Sequence, residues 1–150
     1  MPHLSLHSPL GDLTVFEEAG AIVSLDWGWV QAQSPTAMLC RARDQLNEYF
    51  DGTRQDFALP LAPPGTEYRR RVWRELTKIP FGATRTYGQI AAKAGGSARS
   101  VGQANGQNPI PIIIPCHRVL ASMGLGGYSG GDGLATKRYL LDLESPQSAL

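Results

Sequence analysis

Short runs of apolar and β-branched residues open the chain at Leu4–Leu6, Leu13–Glu17 and Ala21–Trp27. Ser8-Pro9-Leu10-Gly11 and Gly20 separate them, so the pattern predicts antiparallel hairpins. The period then changes. From Ala37 to Phe50, Leu39, Leu46, Tyr49 and Phe50 recur on one face of a helix, which Asp51-Gly52 stops. Leu59-Pro60-Leu61-Ala62-Pro63-Pro64-Gly65 sustains neither a helix nor a central strand, because its prolines lack the amides both need. These signals predict a first domain over residues 1–59, a linker over 60–66 and a second domain over 67–150.

The second domain reads as helical. Thr66 is placed to cap a helix whose apolar stripe is Tyr68, Val72, Leu76 and Ile79, with Arg69, Arg70, Arg71 and Arg74 largely off it, and Pro80-Phe81-Gly82 ends it. Thr86-Tyr87-Gly88-Gln89 fits a capping box opening a short helix to Ala94. After the Gly95-Gly96 turn, Ser97 caps a third helix from Ala98 to about Gly106. Helix, glycine turn, helix is a helix-turn-helix pattern, which binds DNA in some proteins and is a plain hairpin in others. A last helical pattern runs through Leu134, Lys137, Leu140, Leu141 and Glu144.

Composition adds limits. A chain of 150 residues, 42% hydrophobic, can bury about 70% of its unfolded surface, enough for one core or two small ones. No apolar run approaches the roughly 18–20 residues that span a bilayer, and no basic segment followed by an apolar one opens the chain, so a cytoplasmic protein is expected. Cys40 lies in the amphipathic helix and Cys116 between a proline and a histidine, surroundings that argue against a disulfide framework. Net charge is only +1, yet residues 1–66 carry three bases and eight acids while residues 67–150 carry eleven bases and five acids. A basic second half is what a phosphate-binding face would produce, although a solvated surface would look the same.

The chemistry concentrates at Asn108-Pro109-Ile110-Pro111-Ile112-Ile113-Ile114-Pro115-Cys116-His117-Arg118-Val119. A thiol beside a histidine and an arginine is a nucleophile candidate, because a positive neighbour or a proton acceptor raises the thiolate fraction. Consecutive side chains of an extended segment point to opposite sides, so Cys116 and His117 should not simply touch. Either the backbone kinks there, or a group such as a water bridges thiol and imidazole. A carboxylate would then hold the other ring nitrogen, and Glu144 is a candidate because the end of a helix disfavours a carboxylate that has no local partner. Gly124 to Gly133 surrounds Tyr128 and Ser129 with glycines, a loop suited to close approach of a ligand such as a flipped base. It lacks the spacing and the lysine of a phosphate-binding loop, and no zinc-ligand spacing occurs.

Pro115-Cys116-His117-Arg118-Val119 resembles the active-site motif of the O6-alkylguanine-DNA alkyltransferases. The resemblance extends through Ile79-Pro80-Phe81-Gly82, Thr86 to Ala91, Arg99-Ser100-Val101-Gly102, Asn108-Pro109, Gly127-Tyr128-Ser129-Gly130-Gly131 and Leu140 to Glu144, in the family's order. Ser8-Pro9-Leu10-Gly11 and Tyr49-Phe50-Asp51-Gly52 resemble its less specific first domain. It implies an α+β fold, in which a small ribonuclease-H-like α/β domain precedes a mainly helical, winged-helix-like domain with a helix-turn-helix.

The resemblance also implies roles. Cys116 would take the alkyl group of O6-alkylguanine, and of O4-alkylthymine, in one irreversible displacement per molecule. His117 would act on the thiol through a water, Glu144 would orient His117, and Asn108 would hinge the recognition helix to the active-site turn. Tyr87 would press on the target phosphate and protonate the leaving guanine. In the minor groove Arg99 would fill the hole left by the flipped nucleotide. Ser97, Ala98, Ser100, Gly102 and Ser122 would share that DNA face. Val119, Gly127, Tyr128 and Ser129 would line the base pocket. Double-stranded DNA is the implied partner of a monomer able to cluster on it, and no cofactor or metal is implied. Asn105 stands where some members have an apolar residue, and the Gly131-Asp132-Gly133 stretch is longer than in some. The residues alone also fit a DNA-binding regulator with a structural or redox-sensing Cys116, or a cysteine hydrolase using Cys116, His117 and Glu144.

Overall fold

The computed structural model describes residues 1–145, so the expected end of the second domain at residue 150 lies outside the described residues. The chain divides into two compact units, Met1–Pro64 and the remainder from Gly65.

In the first unit β1 (His3–Leu6), β2 (Leu13–Glu18) and β3 (Ala21–Trp27) form an antiparallel sheet in chain order. The β1–β2 register pairs His3 with Phe16 and Leu6 with Leu13, and a shift between Phe16 and Glu17 interrupts β2–β3 pairing. Ala19 and Gly20 both take positive φ, 52° and 81°, which suits a tight hairpin between strands of right-handed twist. Helix α1 (Ala37–Phe50), capped by Thr36, packs on β1 and β2 and buries Leu39, Ala42, Leu46 and Tyr49. The other face of the sheet is covered too: Ser5 and Thr14 are buried and bond each other across the strands at 2.7 Å, and Val30 donates its amide to Ser5.

The expected linker begins too early. Ile22 donates its amide to Pro60 and accepts from Ala62, so Leu61 lies parallel to β3. Buried Gln45 clamps the preceding chain with both ends of its amide, donating to the Ala58 carbonyl and accepting from the Ala58 amide. A proline-rich strand at a sheet edge needs only the donors and acceptors its non-proline residues retain, which is why Pro60 is tolerated.

The second unit holds α2 (Glu67–Thr77), β4 (Arg85–Thr86), α3 (Tyr87–Ala94), α4 (Ala98–Gly106), a 3₁₀ turn at Cys116–Arg118, β5 (Val119–Leu120) and α5 (Leu134–Glu144). Thr66, Thr86 and Ser97 cap α2, α3 and α4 as their spacing predicts, the last two in reciprocal capping boxes. Helices α2, α3 and α4 pack on one another around Val72, Leu76, Ile90, Val101 and Ala104. Trp73 is buried among them, its indole donating to the Ala104 carbonyl at 2.9 Å. Arg71 satisfies the Ala94 carbonyl at the end of α3. Strands β4 and β5 pair in parallel, Arg85 with Val119 and Thr86 with Leu120, which ties the start of α3 to the residues just after Cys116.

Candidate active site

Helix α4 runs into the site through Asn108. Its amide donates to the Ile114 carbonyl at 2.8 Å and accepts from the Ile110 amide at 3.0 Å, pinching both ends of the isoleucine-proline loop. Ile112 takes a left-handed φ of 73° inside that loop, and Ile110 to Ile114 are all buried. The chain around Cys116 is therefore not extended. Proline-fixed backbone and the Ile112 reversal turn it into the 3₁₀ turn that buries Cys116, His117 and Arg118 together.

Of the two alternatives for Cys116 and His117, the backbone does kink. His117 directs Nε2 to Glu144 at 2.7 Å, while its buried Nδ1 has no hydrogen-bond partner among the described residues. Arg118 holds the same carboxylate through Nε at 2.8 Å and a terminal nitrogen at 2.9 Å, and donates also to the Ile79 carbonyl. Burial alone would raise the Glu144 carboxyl, but the bonds from His117 and Arg118 overcome it and hold the group at about 2. Burial lowers His117 despite Glu144, so the ring is neutral at pH 7. Burial likewise raises the Cys116 thiol, opposed by Asn108, by the positive charge of Lys137 and by Tyr128.

Lys137 is a buried cation that the residue pattern showed only as a member of the α5 stripe. Its Nζ donates to the carbonyls of Val119 at 2.7 Å, Leu125 at 2.5 Å and Gly127 at 3.0 Å. Burial brings it down to about 8, and the three carbonyls take its three hydrogens. A lysine in step with Leu140 and Glu144 on an apolar face was the available signal. Leu134, expected on that stripe, is exposed instead because α5 only begins there. Arg118, expected as a positive neighbour of the thiol, is committed to Glu144 and the Ile79 carbonyl instead, and Asn105, without an expected role, donates to the Cys116 carbonyl at 3.2 Å.

The two tyrosines face the same centre. Burial and the nearby Cys116 raise Tyr87, partly offset by the Gly127 amide, and Lys137 lies 6.0 Å over its ring. Burial, and the neighbouring Cys116 with which its hydroxyl shares a hydrogen bond, raise Tyr128. Val119 is buried, and Ser129 ties the glycine loop to α4 by donating to Gly106 at 3.1 Å. Gly127 and Ser122 are exposed, Ser122 on the turn closed by Ala121 and Gly124.

On α4, Ser97, Ala98 and Arg99 are exposed, while Ser100 and Gly102 are half-buried. The serine hydroxyls are committed within the protein: Ser97 accepts from the Ser100 amide, and Ser100 meets Tyr68 at 2.8 Å. Arg99 makes no ion pair among the described residues. A Cβ at Gly102 would stand 3.9 Å from the Tyr87 ring, in ordinary van der Waals contact, so Tyr87 lies against this stretch of α4. Among the described residues no group of three or more His, Cys, Asp or Glu is placed to hold a metal ion, and no helix is long and apolar enough to cross a membrane.

A family profile described as 6-O-methylguanine DNA methyltransferase, DNA binding domain, matches residues 67–146, and one described as its ribonuclease-like domain matches residues 3–63. The chain belongs to this family. The constitutive methylated-DNA–protein-cysteine methyltransferase of Bacillus subtilis is 39% identical, over 95% of this chain and 94% of that protein. The Mycobacterium tuberculosis protein of the same name is 41% identical over 96% and 92%. Its crystal structure in complex with DNA superposes with a TM-score of 0.86 at 40% identity, covering 96% of this chain and 92% of that one. The family architecture, a small sheet-containing domain followed by a helical DNA-binding domain, is the one described above.

Proposed function

We propose that the protein repairs DNA by transferring the alkyl group of O6-alkylguanine to the Cys116 sulfur, once per molecule. The observation that carries this reading is the buried Cys116-His117-Glu144 arrangement, in which His117 is fixed by its Nε2 and keeps an Nδ1 that is unpartnered among the described residues. Duplex DNA is bound through the minor groove by α4, with Ser97, Ala98, Arg99, Ser100, Gly102 and Ser122 on that face. Arg99 takes the place of the nucleotide that swings out.

The base enters between Val119, Gly127, Tyr128 and Ser129. A water relays the thiol proton to His117 Nδ1, a neutral acceptor, and Asn108 and the Lys137 charge favour the thiolate. The thiolate attacks the alkyl carbon, forming C–S as C–O breaks, and Tyr87 supplies a proton to the departing guanine. A thioether has no path back to the thiol, so the molecule is consumed. O4-alkylthymine presents the same alkyl–oxygen bond and is accepted as well. The protein acts as a monomer able to cluster on DNA.

The test is mass spectrometry after mixing with duplex DNA containing O6-methylguanine. The peptide bearing Cys116 is expected to gain one methyl group, and Cys116→Ala none. Intact lesions beside an unmodified peptide would overturn the reading. Repeated turnover of an acyl substrate would favour the hydrolase alternative.

A further inference from the structure

The second unit holds a cavity of about 420 Å³ that the alkyl-transfer chemistry does not use. Its walls come from the end of α2, from β4 and from α3, and each of them supplies one exposed cation: Lys78, Arg85 and Lys93. Against these three the cavity has one acid, Glu75, already bonded to Lys78 at 3.0 Å. Arg85 donates to the neighbouring Thr84 carbonyl, and neither it nor Lys93 has an ion pair among the described residues. The base is apolar. Ile79 and Ile90 form it, both buried, and Ala92 and the methylene stems of the cations line the sides. On α3, Tyr87 turns toward Gly102 of α4, whereas Gln89, Ala92 and Lys93 follow the helical period onto the other side, where the cavity lies.

Unpaired cations gathered round one concavity raise a positive potential there and contribute nothing to folding. The potential and the apolar base together select the ligand. A phosphodiester backbone would use the cations, but it gains nothing from an apolar base and is repelled by Glu75. A peptide brings both carboxylates and a side chain to bury. We propose that the cavity is a docking site for an acidic peptide segment of a partner protein. Its carboxylates face Lys78, Arg85 and Lys93, and one large apolar side chain rests against Ile79 and Ile90. Charges on the rim speed the encounter and select the sign of the partner, while the apolar anchor slows release. Because α4 lies across α3 from the cavity, a docked peptide leaves that helix free, and peptide and duplex are held together. The proposal is independent of the role assigned to Cys116.

The probes are fluorescein-labelled peptides with blocked ends, built of aspartates and serines around a single phenylalanine placed at the start, middle or end. Fluorescence anisotropy with the full chain is expected to show saturable binding for at least one of them. Replacing its phenylalanine by alanine should weaken binding about tenfold, the worth of burying such a side chain. Raising salt from about 0.05 M to about 0.5 M should weaken it by a similar factor. The methyl resonances of Ile79 and Ile90 are expected to shift as the peptide is added. Arg85→Glu combined with Lys93→Glu should cost at least about tenfold in peptide affinity, with melting temperature, affinity for undamaged duplex and methyl transfer near wild type. Should that variant not fold, Arg85→Gln with Lys93→Gln removes the same charges and carries the same direction. Failure of every peptide to saturate, or binding that the charge variants leave unchanged, would overturn the proposal. Displacement of the peptide by undamaged duplex, with duplex affinity lost in the variants, would make the cavity a phosphate contact and overturn it too. So would sedimentation showing that the variants break an association between copies of this chain.

Discussion

Glu144 carries an acidity that belongs to the folded state. Its ordinary value is 4.5 and its folded value about 2, so the unfolded chain binds the proton more tightly. The stabilisation is complete above about pH 4.5 and is lost as pH falls from there to 2, on the order of 3 kcal/mol for a shift of this size. Urea midpoints measured at pH 6 and pH 3 are expected to fall further for the wild type than for Glu144→Gln. Parallel declines would assign the acid sensitivity to other carboxylates. Lys137 acts on the thiol from the opposite charge. Lys137→Met removes the donor to three carbonyls and the cation near Cys116, so the thiol rises and its reaction with iodoacetamide at pH 7 slows about tenfold per unit of rise. Arg138→Met, an exposed neighbour, is expected to leave both the rate and the melting temperature unchanged.

Helix starts and hairpins were legible because their signals are local. Thr66, Thr86 and Ser97 each satisfy an orphan amide within three residues. The turn at Cys116 was legible only as one of two alternatives, because its form depends on Asn108 bridging Ile110 and Ile114 and on the left-handed Ile112, a conformation no β-branched residue advertises. The edge pairing of Leu61 with Ile22 was hidden for the same reason, being set by a partner some forty residues away. The Lys137 contacts depend on where the glycine loop comes to rest. That loop has a sharp internal constraint: at Gly126, φ +72°, an added Cβ would stand 2.7 Å from the Tyr87 hydroxyl and 2.8 Å from its ring. Gly126→Ala is expected to cost roughly 1–3 kcal/mol through overpacking together with the left-handed φ, and to displace Tyr87. Methyl uptake would then fall more steeply than DNA binding. Gly127→Ala, with nothing within 4 Å of its Cβ, is expected to keep stability near wild type. Equal losses for the two variants in a side-by-side thermal melt would show that neither the Tyr87 contact nor the left-handed φ at Gly126 governs the effect.

The charge division along the chain, three bases with eight acids before residue 67 and eleven bases with five acids after it, places the capacity to neutralise phosphates in the second unit. Binding to undamaged duplex should weaken linearly in log–log form with salt, with a slope near −0.9 per phosphate contacted. Arg99 separates two uses of a cation. It is exposed on the first turn of α4, where Ser97 and Ser100 are already committed to capping and to Tyr68. If Arg99 neutralises a phosphate, Arg99→Ala reduces the salt slope by about one and weakens all duplexes alike. If it stands in for the displaced nucleotide, the slope is nearly unchanged while methyl transfer from a duplex lesion falls steeply. Transfer from free O6-methylguanine base, which needs no flipping, then stays close to wild type. The second pattern is expected, because a guanidinium projecting from a helix of small residues can reach past the backbone into the base stack. Equal losses on duplex and free base would place Arg99 in the chemistry or in the fold.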